Sequence, residues 1–389
     1  ANSNYAPANT IFLNPSSSAD SKAFIDFNIV GASTYVLNDY AYFNSNLLAI
    51  SREAAAGNET EPLYDRGGAP YSAYVDVQVH GPSLSVSYGK FGGGLFMNLR
   101  SVTSVSGVPA HLANHAENGF DFEDQLGNEY TTSNANIGSL SWLEYGANFS
   151  YIISQSGRDM YTLGGNLKYL NGLAGAGLNV QKWNYQVQND SVLNSFEFAG
   201  EYGLPNISSD QEGASGILGN GSGLGLDLGF SYKKMKKSAQ GYLPHAAGQC
   251  KLKDYQYKFG VSLLDIGGVR MKNGFYREFS IQDSVVWEDY GGADPAELAE
   301  VDALINEELL RLSSDSENSS YRMALPTALS AQFDYNFGKG FYANSTLIHG
   351  FSRKRKLGVK RNSTFSITPR YERRQVEVAL PLTIQNYQK

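Results

Sequence analysis

The chain has 389 residues, enough for several soluble domains or for one large barrel. It contains 26 Tyr, 20 Phe and 41 Gly, but only 18% of its residues are charged, below the roughly 25% usual in soluble domains. The formal net charge of −7 argues against a nucleic-acid-binding protein, the single cysteine, Cys250, excludes an internal disulfide, and no stretch approaches the ~18 apolar residues of a membrane-spanning helix.

Alternation of apolar and polar residues recurs along the whole chain. This pattern is typical of strands, because successive side chains of a strand point to opposite faces. The clearest example is residues 224–232, where Leu and Phe alternate with Gly, Asp and Ser. In chain order, the candidate strands are 24–30, 75–79, 83–88, 95–102, 145–153, 163–169, 178–188, 224–232, 257–263, 269–279, 329–337, 342–349, 365–368 and 376–380. We therefore predict an all-β, antiparallel fold of about fourteen strands.

The polar face of these strands distinguishes a membrane barrel from a soluble sandwich. Both architectures have one apolar face, but solvated strands favour Lys, Glu and Thr, whereas here Gly, Ser, Asn and Gln dominate. Aromatic residues also stand at strand ends, for example Tyr232 and Phe337, as in the girdles of outer-membrane barrels. The sequence predicts a transmembrane β-barrel with a small-residue lumen face; a soluble all-β adhesin is the alternative.

The connections differ in length. Residues 265–268 and 337–341 read as hairpin turns, whereas 36–70, 103–140, 201–222, 234–254 and 282–326 read as long connections. Outer-membrane barrels place long loops outside the cell and short turns in the periplasm. The predicted strands do not place all five long connections on one side of the membrane. Either a strand is missed, or one long connection is a plug or a periplasmic loop.

The last long connection contains a helix signal. Asp294, Pro295 and Glu297 form an N-cap, a first-turn proline and an acidic residue at the third helical position. Apolar residues at helical spacing follow, up to Leu309. We predict a helix inside a loop, whose apolar stripe either packs on the barrel rim or binds a partner.

Residues that could carry chemistry are few. His111 and His115 have the spacing of two ligands on a helix, but the sequence offers neither the intervening Glu nor a third ligand. An acidic loop contains Asp121, Glu123, Asp124 and Glu129 without the spacing of an EF-hand. The glycines of residues 216–229 run into a strand instead of opening a helix, and no nucleophile elbow is present. We predict a non-enzymatic protein without a catalytic, metal or cofactor site.

Two basic runs follow directly on strands. Such residues commonly reach lipid phosphates at a membrane edge, or dock an acidic partner. The candidates for contact with lipopolysaccharide or a partner are Lys233, Lys234, Lys236, Lys237, Arg353, Lys354, Arg355 and Lys356.

Short motifs connect the chain to known barrels. Asn14-Pro15, residues 20–24, residues 223–233 and residues 255–266 resemble a family of Bacteroidota outer-membrane barrels related to PorP/SprF-type and FadL-like proteins. The resemblance implies a barrel of about fourteen strands. It also implies a role as a fatty-acid-type channel, a partner of type IX secretion, or a subunit of a larger assembly. Some members carry a C-terminal OmpA-like domain that binds peptidoglycan.

Two further features bear on modification and domain organisation. Ser191 and Ser284 lie in Asp-Ser-Val triplets similar to the O-glycosylation sequon of that phylum, or are ordinary turn residues. We predict an N-terminal segment at 1–22 and a barrel at 23–389. Because the chain does not finish in an aromatic residue, the sequence predicts either truncation or a following periplasmic domain.

Long loops and the lack of catalytic signatures lead to the functional hypothesis. The leading reading is a structural or accessory subunit of a multiprotein complex in the outer membrane of a Gram-negative bacterium of the Bacteroidota type. The complex would serve outer-membrane protein assembly or type IX secretion. Its partners would be outer-membrane lipid, lipopolysaccharide, other outer-membrane proteins or lipoproteins, and peptidoglycan through a further domain. The alternative is a porin or a FadL-like channel for small or apolar molecules.

Overall fold

We analysed a computed structural model. The structure describes residues 4, 6–42, 49, 52, 56, 62–65, 67, 70–118, 122–189, 192–205, 220–239, 241–246, 254–282, 285–288, 318–351, 356–373 and 376–387.

Antiparallel strands dominate the described residues, as predicted. Sixteen strands form one sheet, and β3 and β4 form a separate pair. The strands are β1 Ile25–Asn28, β2 Gly31–Asn38, β3 Ala41–Tyr42, β4 Leu63–Tyr64, β5 Tyr71–Tyr88, β6 Phe91–Val108, β7 Glu129–Ser156, β8 Asp159–Val187, β9 Val192–Pro205, β10 Gly221–Met235, β11 Tyr255–Ile281, β12 Val285–Glu288, β13 Asn318–Ala324, β14 Ala328–Gly338, β15 Phe341–Gly350, β16 Thr364–Glu372, β17 Glu377–Ala379 and β18 Leu382–Gln385.

Several predicted strands are parts of one longer strand. The segments predicted at 75–79 and 83–88 both lie in β5, and β8 and β11 each contain two predicted segments as well. The register shifts at these places, for example between His80 and Ser83. A bulge of this kind interrupts the alternation without ending the strand, so the pattern looks like two strands. The number of about fourteen stays a prediction.

The sequence prediction missed several strands, among them β2, β9 and β13. Near its end β9 is buried at four successive positions, Gly200, Glu201, Tyr202 and Gly203, so both of its faces are covered. A strand with two covered faces has no polar alternation to reveal it. Both β9 and β10 pair with β8 and β11, so they continue one another along the wall.

The two ends of the barrel carry different connections. The tight turns at 89–90, 157–158 and 339–340 lie at one end, the short-turn end. The strand ends that flank residues 39–70, 109–128, 289–317 and 351–363 lie at the other, the long-loop end. The predicted long connection 234–254 belongs to the short-turn end, because Gly89 N–H donates to the carbonyl oxygen of Pro244 at 2.7 Å. By the usual orientation the short-turn end faces the periplasm.

The outer face of the wall is apolar. Leu224, Leu167 and Phe149 expose 64%, 61% and 59% of their surface, although they lie in the middle of long strands. Rings line up at the short-turn end, where the ring of Tyr232 lies 5.1 Å from that of Tyr161 and 6.0 Å from that of Tyr257. This confirms the predicted aromatic girdle, and the chain is an antiparallel transmembrane β-barrel.

The helices of the described residues are short. They are α1, Pro7–Thr10, and α2, Ala110–Asn118. Within the part of the chain that the structure describes, no helix is long and apolar enough to cross a membrane. The predicted helix after Asp294 lies outside the described residues.

Candidate functional site: the occupied lumen

Residues 6–21, the plug segment, lie inside the curled sheet. The segment begins with α1 and continues through a 3₁₀ turn, Pro15–Ser18. Asn14 favours this turn, because its side-chain oxygen accepts hydrogen bonds from the backbone N–H and the hydroxyl of Ser16, at 3.0 and 2.7 Å. A proline follows Asn14 and supplies the helical φ at the first position. Ser16 is fully buried, so the wall encloses the turn on all sides.

Polar side chains of the wall hold the plug segment. Ser18 Oγ donates to Asn148 Oδ1 at 2.5 Å, and Asn148 Nδ2 donates to the carbonyl oxygen of Pro15 at 3.0 Å. Asn166 Nδ2 donates to the carbonyl oxygen of Ile11 at 3.0 Å. Further hydrogen bonds join Asn14 to Phe230 and Gln332, Leu13 to Ser262, and Ala19 to Ser87. These contacts satisfy buried polar groups on both partners, so hydrogen bonding binds the plug to the wall.

Glycines of the wall give the plug its space. A Cβ at Gly164 would lie 2.5 Å from the carbonyl oxygen of Pro15, and one at Gly92 would lie 2.2 Å from the backbone nitrogen of Ala19. Gly229 makes a third such contact, at 2.3 Å from the plug. Real Cβ atoms do not approach other atoms this closely, so these positions require glycine while the plug is in place.

A layer of buried ion pairs lies next to the plug, toward the long-loop end. Arg100 Nη1 lies 3.1 Å from Glu144 and 3.0 Å from Asp265. Lys168 Nζ lies 2.8 Å from Asp227 and 2.7 Å from Asp265. All five side chains are buried, so each charge depends on its partners in place of water. This ion-pair layer places five buried charged side chains across the lumen.

Asp265 is at the centre of the ion-pair layer because of a local backbone distortion. The β10–β11 register shifts beside it, and its φ is +53°. Its backbone N–H donates to Asp227 Oδ1 at 2.7 Å. Arg361, which comes from the 351–363 connection, approaches Asp265 Oδ2 at 3.5 Å. Asp tolerates the left-handed conformation better than most residues, and the bulge turns its carboxylate into the lumen.

An apolar layer lies beyond the ion pairs, nearer the long loops. Its side chains occupy the next lumen-facing positions on the same strands that contact the plug and carry the ion pairs. On β8, for example, Leu170 is the next lumen-facing residue after Lys168. Leu357 comes from the 351–363 connection and reaches across the lumen to Gly177 on β8. The members of this layer are Tyr74, Val102, Leu140, Trp142, Leu170, Val269, Met271, Tyr321, Met323, Leu325, Leu357 and Val359. The lumen face of this half therefore carries large apolar side chains beside the predicted small residues, such as Gly175 and Gly177.

Lys233 is not a lipid contact. Its side chain is buried inside the short-turn end and lies 2.6 Å from Asp20 of the plug segment. Alternation explains the error, because Lys233 occupies the lumen side of β10, like Asp227 and Ser231. Its contact with Asp20 fixes the end of the plug.

The other predicted basic contacts lie at different places. Lys234 pairs with Asp159 at 2.7 Å, at the short-turn end. Lys236 and Lys237 follow β10 at the same end, which the usual orientation turns away from lipopolysaccharide. Lys356 is exposed in the 351–363 connection. Arg353, Lys354 and Arg355 lie outside the described residues.

His111 and His115 lie on α2 and contact aromatic rings. The ring of His111 stacks on that of Tyr130 at 4.6 Å, and the ring of His115 lies 6.0 Å from that of Tyr185. Burial, together with the charge of His115, lowers the pKa of His111 to about 4. A neutral His111 suits this packing role.

The remaining candidate positions are at the surface or outside the described residues. Glu123, Asp124 and Glu129 are exposed. Asp121, the proposed glycosylation sites Ser191 and Ser284, and Cys250 lie outside the described residues.

Comparisons with known proteins give a family. A family model described as "Family of unknown function (DUF5723)" matches residues 15–389. No curated protein matches the chain. Among solved structures, the chain is similar to a "TodX deltaS2S3 mutant monoaromatic hydrocarbon channel", with 12% identity, a TM-score of 0.39, and coverage of 97% of this chain and 78% of that one. It is also similar to the Pseudomonas putida toluene transporter TodX, with 10% identity, a TM-score of 0.30, and coverage of 97% and 88%.

Proposed function

Because the chain belongs to the DUF5723 family, whose function is unknown, we propose a function from its lumen: a gated outer-membrane channel for small apolar molecules. The plug segment is the gate of this channel, and its contacts with the wall are the observation that carries the proposal.

The binding mode of the plug supports a gate. Its contacts with the wall include many hydrogen bonds and the ion pairs of Asp20 with Lys233 and Lys258, between polar groups that water can also satisfy. It also makes apolar contacts, because the ring of Phe12 lies 4.9 Å from that of His80 and 5.0 Å from that of Phe96. The net free energy of such a hydrogen bond is about 1 kcal/mol, because bonds to water replace it when it breaks. The polar contacts of the plug segment can therefore exchange with water when it leaves the lumen.

The apolar layer supports an apolar substrate. Along the lumen from the long-loop end, the side chains of Leu357, Met323 and Trp142 precede the ion-pair layer. A hydrated solute would have to lose its water there without gaining hydrogen bonds, at a cost of several kcal/mol, whereas an apolar solute loses little. The layer therefore selects against polar solutes.

A reversible disulfide tests the gate. Ser18 Oγ and Ser150 Oγ lie 2.6 Å apart, so Ser18→Cys and Ser150→Cys, with Cys250→Ser, would link the plug to β7. We expect the oxidised variant to lose most of the uptake of a hydrophobic fluorescent dye by intact cells, and the reductant to restore it. The matched control carries Ser18→Cys alone. Equal uptake by the oxidised and reduced forms would contradict the proposal.

The accessory-subunit hypothesis is a separate proposal. A role in outer-membrane assembly or type IX secretion, the Bacteroidota origin, the link to peptidoglycan and the absence of enzymatic activity all stay predictions. Extraction in mild detergent followed by native gel electrophoresis tests the subunit role. Co-migration with other outer-membrane proteins would support it, whereas a monomeric species alone would count against it.

A further inference from the structure

Two arginines face each other on the outer surface of the barrel. Arg270 on β11 and Arg322 on β13 are directly paired across the two strands, and both are exposed. Lys272, two residues along β11, is exposed on the same face and is paired with Ser320. Three cationic side chains thus share a small area of the wall, which we call the arginine pair site.

Within the described residues, none of these three side chains has an acidic partner. Arg270 Nη2 donates to Ser320 Oγ at 3.0 Å, and the Nε atom of Arg322 lies above Gly268, 3.0 Å from the place of a Cβ. Like charges directly opposite each other on adjacent strands are destabilising. An anion bound between the guanidinium groups would remove this repulsion, and guanidinium groups match phosphate oxygens in pairs.

The arginine pair site lies on the long-loop side of a column of exposed apolar side chains on the outer wall, which we call the Leu224 column. Leu224 is paired with Gly268, two residues from Arg270 on β11, and is 64% exposed. Leu226 and Leu228 continue this column toward the short-turn end. The arginines therefore lie on the long-loop side of the lipid-facing band, at the level of outer-leaflet headgroups.

A cavity accompanies the arginines. It has a volume of about 1030 Å³ and is lined by Leu224, Arg270 and Arg322. Its lining also includes Glu201, Tyr276 and Glu278, and it extends to Tyr321 and Leu357 of the apolar layer. Its mixed lining suits a molecule that has both a charged group and an apolar part.

We propose that the arginine pair site binds the phosphate of an outer-leaflet lipid of the lipid A type, whose acyl chains lie along the Leu224 column. Lipopolysaccharide contact thus belongs to Arg270 and Arg322, not to the basic run that follows β10. The binding of this lipid is independent of the proposed channel function.

Native mass spectrometry of the detergent-solubilised full chain tests this inference. The probes are bisphosphorylated lipid A, the same lipid without phosphates, and inorganic phosphate. We expect the wild type to retain one bisphosphorylated lipid A, and Arg270→Gln with Arg322→Gln to weaken retention about tenfold or more, because each lost charge-assisted hydrogen bond costs that much. Arg270→Lys, which keeps the charge, should retain most of the binding.

Controls separate the site from general attraction to anions. Lys90→Gln removes an exposed cation at the short-turn end and should leave retention unchanged. Heat-modified gel mobility reports whether each variant is folded. Equal retention by the double variant, or equal retention of the dephosphorylated lipid by the wild type, would overturn the proposal. Inorganic phosphate that displaces lipid A at equal concentration would overturn the assignment to a lipid.

Discussion

The two halves of the lumen are filled in different ways. The short-turn half holds the plug segment largely through hydrogen bonds to Asn148, Asn166 and other polar wall residues, and one apolar cluster packs against the end of the plug at Ala19. The long-loop half is packed with apolar side chains such as Leu325 and Leu357. The ion-pair layer separates the two. Hydrogen bonds can exchange with water, but apolar packing cannot, so the plug half is suited to opening and the apolar half to selection.

The largest expected effect comes from the layer between the halves. Asp265→Asn keeps a residue that tolerates positive φ. It removes the carboxylate charge that neutralises Arg100 and Lys168. We expect a loss of about 3–5 kcal/mol of unfolding free energy, as for other broken buried ion pairs. Urea titration in lipid vesicles measures it. Asp159→Asn, at the exposed pair with Lys234, is the matched control and should change little.

The second prediction concerns the apolar half. Leu357 is 2% exposed, so Leu357→Ala should cost about 2–5 kcal/mol of unfolding free energy and widen the lumen at that level. Leu224→Ala removes the same side-chain atoms from the lipid-facing surface. It should lower the unfolding free energy less than Leu357→Ala does, because lipid fills the space that is left. If both variants unfold at the same urea concentration, the apolar layer is not a packed core.

The third prediction disturbs the plug half alone. Gly164→Ala places a methyl group 2.5 Å from the carbonyl oxygen of Pro15 in the plug. In Gly165→Ala, on the same strand, the nearest atom to the new methyl group is 3.3 Å away and belongs to the wall. We expect protease cleavage within residues 6–21 to become at least several-fold faster in Gly164→Ala only, because the overpacking costs about 1–3 kcal/mol. Equal protection in both variants would show that the plug does not need the glycine.

The smallest expected effect is a pH dependence at the long-loop end. The pKa of His111 is about 4 in the folded protein and near 6.5 when the residue is exposed, because burial disfavours the charged form. The docking of α2 on Tyr130 is therefore fully stable above pH 6.5, weakens as the pH falls below that value, and loses this contribution by about pH 4. His111→Phe keeps the stacked ring and should remove this dependence from hydrogen exchange of α2. An unchanged pH profile would contradict it.

The amino-acid sequence determined the wall of this protein. The alternation of period two around Leu224 and the aromatic residues at strand ends specify strands with one lipid-facing side. This pattern is local, because successive side chains of a strand point to opposite faces in any fold. Alternation did not predict which face a side chain occupies next to a bulge, as at Asp265. It also did not reveal strands whose two faces are both covered, as in β9.

Only the tertiary structure decided what fills the barrel. Asn14-Pro15 resembles a family motif, but nothing in it shows that the segment enters the lumen. There Pro15 contacts Asn148, 133 residues away along the chain, and Asn14 contacts Gln332, 318 residues away. Lys233 and Lys234 are adjacent in sequence, yet one is buried in the lumen and the other lies outside. The sequence thus specifies faces through local alternation, whereas curling of the sheet determines which distant residues those faces bring together.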